Sequence, residues 1–177
     1  SVLTLSGANS YTGATTISAG TLNVTGSLSD STAVTVASGA TYIVGTTDTV
    51  GSIAGAGDIT LSGSLTAGGA SSTTYSGSMS GSGNFTKTGA GTLTFSGANS
   101  YSGNTIIGAG TLTLISSGTL GGATPASNAS SQRRAHKHQR SPACKPLKRY
   151  SGRGVIRSFP RESENCRNSV VMRAHTT

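Results

Sequence analysis

The sequence predicts an all-β fold: a parallel solenoid of short stacked strands over residues 1–124, followed by a basic, disordered tail over residues 125–177. Three observations predict it. Apolar residues recur as i, i+2 pairs with Thr or Asn between them, Gly, Ser and Thr dominate the first segment, and a 22-residue stretch returns ninety positions later. Roughly five to six rungs are expected from a guess of about 20 to 25 residues per rung.

Composition divides the chain before any motif does. Up to Pro125 the chain holds 24 of the 26 Gly, 47 Ser or Thr, and only four charged side chains, Asp30, Asp48, Asp58 and Lys87, for a net charge of −2. Beyond it, twelve Lys or Arg stand against Glu162 and Glu164, a net of +10. With six Leu, Ile, Val or Phe in those 52 residues, the tail has too little apolar surface to order itself. A helical first segment is nearly excluded, because Gly at that density costs a helix about 0.5–1 kcal/mol per position relative to Ala. No 18-residue apolar run is present for a membrane-crossing helix. No charged n-region or long apolar stretch follows Ser1, so no signal peptide is expected in this chain.

The strands follow in order from the apolar pairs. Leu3/Leu5 opens the chain, Ile17 follows twelve residues after Leu5, and Leu22/Val24, Val34/Val36, Ile59/Leu61, Leu93/Phe95 and Leu112/Leu114 continue the pattern. Alternation of this kind puts apolar side chains on one face of a strand and hydroxyls on the other. Each strand is short and is bounded by Gly, Asn or Ser, so none can build a core alone. Stacked at about 4.8 Å, each pair sits on the one below, and Thr and Asn form outward ladders. Neither end carries an obvious cap, which implies a fragment of a longer array. Tandem β-sandwich domains are the rival fold, although their strands are usually nearer five or six residues.

The repeat itself is specific. Leu3 to Val24 reads LTLSGANSYTGATTISAGTLNV and Leu93 to Leu114 reads LTFSGANSYSGNTIIGAGTLTL, identical at fifteen of 22 positions, with weaker echoes from Gly55 and Gly81. These residues, with KTGAGTLTF leading into the second copy, resemble the autotransporter-associated β-strand repeat of passenger regions in type V secreted proteins of Gram-negative bacteria. The resemblance covers residues 1 to about 122. It implies a right-handed parallel β-helix displayed at the bacterial cell surface, carried there by a C-terminal translocator barrel absent from this sequence. After Gly122 the next rung gives way to SNASSQRRAHKHQRSPACKPLKRY, which resembles nothing in the repeat and reads as a genuine basic tail or as an out-of-frame or chimeric end.

Chemistry is sparse. A polysaccharide-active site on a solenoid needs clustered carboxylates, and only Asp30, Asp48, Asp58 and Lys87 are on offer; Asp30 and Asp58 lie beside Ser and Gly, where Asp bonds turn backbone. No His or Cys precedes His136, so a triad or Cys-His pair within the repeats is excluded. GAGD, GSGN and GAGT lack the third Gly of a dinucleotide loop and the GK[ST] of a P-loop, and read as corners. Tyr11 and Tyr101 share one place in the two copies, which favours a packing or ladder role over a sugar contact. Asn23, Asn84 and Asn128 head chance glycosylation triplets.

In the tail, His136, His138, Cys144 and Cys166 fit no standard zinc spacing. Arg133-Arg134 and Lys145 to Arg149 could attract polyanions, but Tyr150 and Phe159 are too few for a stacking platform. The sequence thus nominates no catalytic, cofactor-binding or metal residue and no cofactor. It points to a non-enzymatic structural and adhesive segment with host-surface or self-association partners, nucleic acid being disfavoured. A β-helix enzyme and a polyanion-binding tail are the alternatives.

Overall fold

The computed structural model describes residues 1–122 and the strand Val170–Arg173. The rest of the tail, and with it the expected disorder, lies outside the described residues. Fifteen strands of three to five residues follow one another through the first segment: β1 Val2–Leu5, β2 Thr15–Ile17, β3 Gly20–Val24, β4 Ala33–Val36, β5 Ala40–Val44, β6 Asp48–Val50, β7 Ser52–Gly55, β8 Asp58–Leu61, β9 Leu65–Gly68, β10 Thr73–Tyr75, β11 Met79–Gly81, β12 Phe85–Thr88, β13 Thr92–Phe95, β14 Thr105–Ile107 and β15 Thr111–Leu114. A sixteenth, β16, spans Val170–Arg173.

They stack as three parallel sheets. One holds β1, β3, β5, β8 and β11; a second holds β6, β9, β12 and β14; a third holds β2, β4, β7, β10, β13 and β15, with β16 added at its end. From β5 to β13 the chain visits the five-stranded, four-stranded and seven-stranded sheets in that order and then climbs one level, while the first two coils have no strand in the four-stranded sheet. This is a parallel β-solenoid of about six turns. Register partners lie twenty residues apart at Thr21 and Thr41 or Leu65 and Phe85, nineteen at Val2 and Thr21, and seventeen at Thr41 and Asp58. The twenty-residue steps stand at the lower bound of the expected 20 to 25 and the others fall just below it, because strands of about four residues meet, from β4 to β13, at corners of one to four residues.

Alternation places the core. Leu22, Tyr42, Ile59 and Met79 form one inward column of the five-stranded sheet, and Val24, Val44 and Leu61 form the next. All are 5% exposed or less, and each fully buried aliphatic side chain stabilises by about 1.5–3 kcal/mol. The three sheets supply aromatics to a shared interior: Phe85 from the four-stranded sheet lies 5.3 Å from Phe95 of the seven-stranded sheet and 6.4 Å from Tyr101. Every apolar pair read from the sequence lies on a strand.

Corners are stacked glycines. A Cβ on Gly77 would overlap the Gly57 carbonyl, and one on Gly97 would overlap that of Gly77; Gly63, Gly83 and Gly103 form a second such column. No L side chain fits between coils whose backbones approach so closely.

The ends differ from the expectation of two uncapped edges. β15 pairs antiparallel with β16, Thr111 opposite Arg173 and Leu114 opposite Val170. The last edge of the seven-stranded sheet is thus covered by four residues from the segment expected to be disordered, because the backbone of the β-prone VVMR run can satisfy the open groups of β15.

The two sequence copies do not stack on the same face. β1 belongs to the five-stranded sheet while its counterpart β13 belongs to the seven-stranded one; β2 and β14 lie in the seven- and four-stranded sheets, β3 and β15 in the five- and seven-stranded sheets. Ninety residues is not a whole number of coils, so the second copy arrives one face behind.

Candidate functional site

Three strands place three of the four charged residues of the solenoid, and a turn places the fourth. Asp48 opens β6 at an inward position, in register with Leu65 and, one coil further, Phe85. It is 3% exposed. The Leu28 N–H donates to both carboxylate oxygens at 3.2 Å, the Thr49 N–H donates at 3.0 Å, and the Tyr42 hydroxyl lies 3.4 Å away. Burial raises the Asp48 pKa, its three hydrogen bonds oppose that, and the nearby charge of Asp30 adds a little to the rise. The carboxylate does a strand's work: the coil beneath β6 has no strand at Leu28, and Asp48 satisfies the amide a ladder would have bonded.

Lys87 is the other inward charge, 2% exposed, in the column of Val50, Ala67 and Ile107. Its Nζ donates to the Thr88 carbonyl and, at 3.0 Å, to that of Gly89. Desolvation lowers its pKa. The dent beside it, bordered by Ser52, Thr73 and Thr92, has a volume of about 10 Å³, room for one water. Both inward charges were legible in principle: Asp48-Thr-Val50 and Phe85-Thr-Lys87 carry the same i, i+2 spacing as the apolar pairs.

Neither remaining acid is hydrogen-bonded to these two. Asp58 opens β8 and accepts a hydroxyl from Ser78, one coil on, at 2.6 Å, so it bonds a ladder side chain where turn backbone was expected. Asp30 sits exposed in the turn between β3 and β4. The arrangement brings no two carboxylates together around a cleft. Among the described residues no three His, Cys, Asp or Glu cluster; His136, His138, Cys144 and Cys166 lie outside them.

The tyrosines of the two copies make the same bond in different surroundings. Tyr11 Oη lies 2.9 Å from Thr15 Oγ1 and Tyr101 Oη lies 2.5 Å from Thr105 Oγ1, yet Tyr11 is 43% exposed and Tyr101 fully buried. Asn23 lies in β3, while Asn84 bonds Ser64 and receives the Asn104 N–H, an asparagine step joining coils. Asn128 lies outside the described residues.

The surface offers repetition instead of a pocket. On the seven-stranded sheet one outward column runs Thr16, Thr35, Ala54, Thr74, Thr94 and Thr113, and on the four-stranded sheet Thr49, Thr66 and Thr86 align. At one strand spacing per coil, about 4.8 Å, these form flat, uncharged hydroxyl-and-methyl ladders.

Residues 1–24 and 85–114 match the passenger-associated-transport-repeat family. Those segments contain the two quoted copies, so the resemblance read from the sequence is borne out. No curated protein and no solved structure matches the chain.

Proposed function

We propose that this solenoid, which carries two passenger-associated transport repeats, is a structural and adhesive segment of an autotransporter passenger held at the bacterial cell surface. The observation that carries the reading is the union of the repeat match with the outward threonine ladders. A stiff column holds its surface away from the membrane, and many weak hydroxyl contacts acting together bind more tightly than any one of them. The role is non-catalytic: of the four charged side chains in the solenoid, Asp48 and Lys87 are buried and bonded, and Asp58 is bonded to Ser78.

The test is display. Residues 1–122 are placed upstream of a translocator barrel in a Gram-negative host, and surface exposure and cell attachment are measured. Protease-accessible solenoid and increased attachment or cell–cell clumping are expected; an exported solenoid that leaves both unchanged would remove the adhesive role. Two assays address the rivals. Glycan release abolished by Asp30→Ala or Asp48→Ala would make the chain an enzyme, and DNA binding weakened by salt and lost without residues 126–177 would make the tail a polyanion binder.

A further inference from the structure

The outward face of the seven-stranded sheet is the plainest surface of the column. Beside the threonine column that runs from Thr16 to Thr113 lies a second one, two residues earlier along the chain, in which Ala33 partners Ser52 and Thr92 partners Thr111. Ser72, one residue ahead of β10, continues it and accepts the Thr92 N–H at 3.2 Å. From β2 to β15 these outward positions hold only Thr, Ser and Ala. The other two faces are interrupted. On the five-stranded sheet Asp58 stands beside Thr41 and Ile43 beside Asn23, and the threonines of the four-stranded sheet give way to Ile106, which is 49% exposed.

The hydroxyls of this face are not used by the fold. Thr32, Thr46 and Thr119, at corners, donate to the carbonyls of Tyr11, Gly26 and Asn99. Among the described residues no such bond engages the side chains of Thr16, Thr35, Thr74 or Thr94, the first three of which are exposed. Each of these hydroxyls can donate one hydrogen bond and accept two. Thr is stiff at χ1, so the array gives up little freedom when it meets a surface. Its two repeats are set by the backbone: about 4.8 Å from coil to coil, and about 6.6–6.8 Å between the columns, twice the rise per residue of a strand.

We infer that this face binds ice. The oxygens on a prism face of ice repeat in two perpendicular directions at intervals near these two, and each offers the donor and acceptor that a threonine hydroxyl complements. Charge complementarity points the same way, since a neutral lattice meets a face without a charged side chain from β2 to β15. Nor does that stretch carry an aromatic ring on which a sugar could stack. Methyl groups set between the hydroxyls restrict the orientation of neighbouring water, which favours water already placed in a lattice over the liquid. Six strands deep, the array engages many sites at once. The inference gives a ligand to the ladders on which the proposed adhesion rests, and needs neither export nor attachment to a cell.

Ice growth in a solution of the full chain tests it. Faceted crystals are expected, with a gap between melting and freezing points that widens as protein concentration rises. Thr74→Lys and Thr94→Lys each place a charge in the middle of the array and should abolish both effects. Thr60→Lys, outward on the five-stranded sheet, should leave them unchanged. The far-ultraviolet circular dichroism of all three variants should match that of the parent chain. Independently of any variant, the chain labelled with a dye at Cys144 and Cys166 should mark prism planes when grown into a single ice crystal. Round crystals at every concentration overturn the inference, while attachment in the display assay, measured without ice, still decides the adhesive reading. Ice shaping that survives both Thr74→Lys and Thr94→Lys overturns it too, as does dye confined to other planes. Adsorption to crystalline cellulose or chitin without any effect on ice would assign the face to a polysaccharide instead.

Discussion

Asp48 couples the solenoid's stability to pH. Its pKa is raised in the folded protein, mainly by burial, so the folded state binds its proton more tightly than the unfolded state does. The associated stability is fully present below the ordinary carboxylate pKa of about 3.9 and is lost as pH rises through the folded value. Denaturant midpoints measured from about pH 4 upward should therefore fall, and Asp48→Asn should flatten the slope. Asp48→Ala leaves the Leu28 amide unpartnered, at a cost of about 1–3 kcal/mol. The tyrosine pair gives a second comparison at this scale. Tyr101→Ala should cost about 3–5 kcal/mol as a core truncation, while Tyr11→Ala should cost no more than about 0.5 kcal/mol. Equal losses by thermal melting would mean that the motif's stability is local and owes nothing to the preceding coil.

At the scale of elements, corners decide tolerance. Gly77→Ala drives a methyl into the Gly57 carbonyl and should cost roughly 1–3 kcal/mol. Gly13→Ala meets no atom within 4 Å at a corner without positive φ, and should be neutral or stabilising by up to about 1 kcal/mol. Chemical denaturation of both variants checks the contrast. Gly20 and Gly110, equivalent in the two copies, adopt φ of 75° and 70° where the chain enters strands of different sheets, so the local turn is written in the motif itself.

Much of the strand pattern was legible for that reason: i, i+2 spacing reports directly which side chains point inward. Handing Leu93 to a different sheet from Leu3 was not legible. The phase of a repeat depends on the exact coil length, and the seventeen-residue steps from Thr41 to Asp58 and from Asp48 to Leu65 leave no mark in the alternation. Asp48 and Lys87 were missed as inward groups because charge argued against burial more strongly than spacing argued for it. The pairing of β16 with β15 was hidden in a segment whose average composition opposes order, although Val170-Val171-Met172 is locally apolar.

At the scale of the whole molecule, each coil contacts only its neighbours, so stability is a sum of coil terms and interface terms. Hydrogen exchange should be slowest in the central strands β5 to β12, which have a coil on both sides, and fastest in β1. Uniform protection along the column would contradict that nearest-neighbour picture. A net charge of +8 in the sequence misdescribes this body, since the column carries −2 and meets its surroundings with hydroxyls and methyls.

The one-face lag between the motif copies gives the column the logic of a twisted cable. A single ninety-residue advance hands the pattern from the five-stranded side to the seven-stranded side, so the two copies turn their strands toward different bearings. What one copy shows in one direction the other shows around the corner, and the column presents its motif on more than one side without any change in the motif itself.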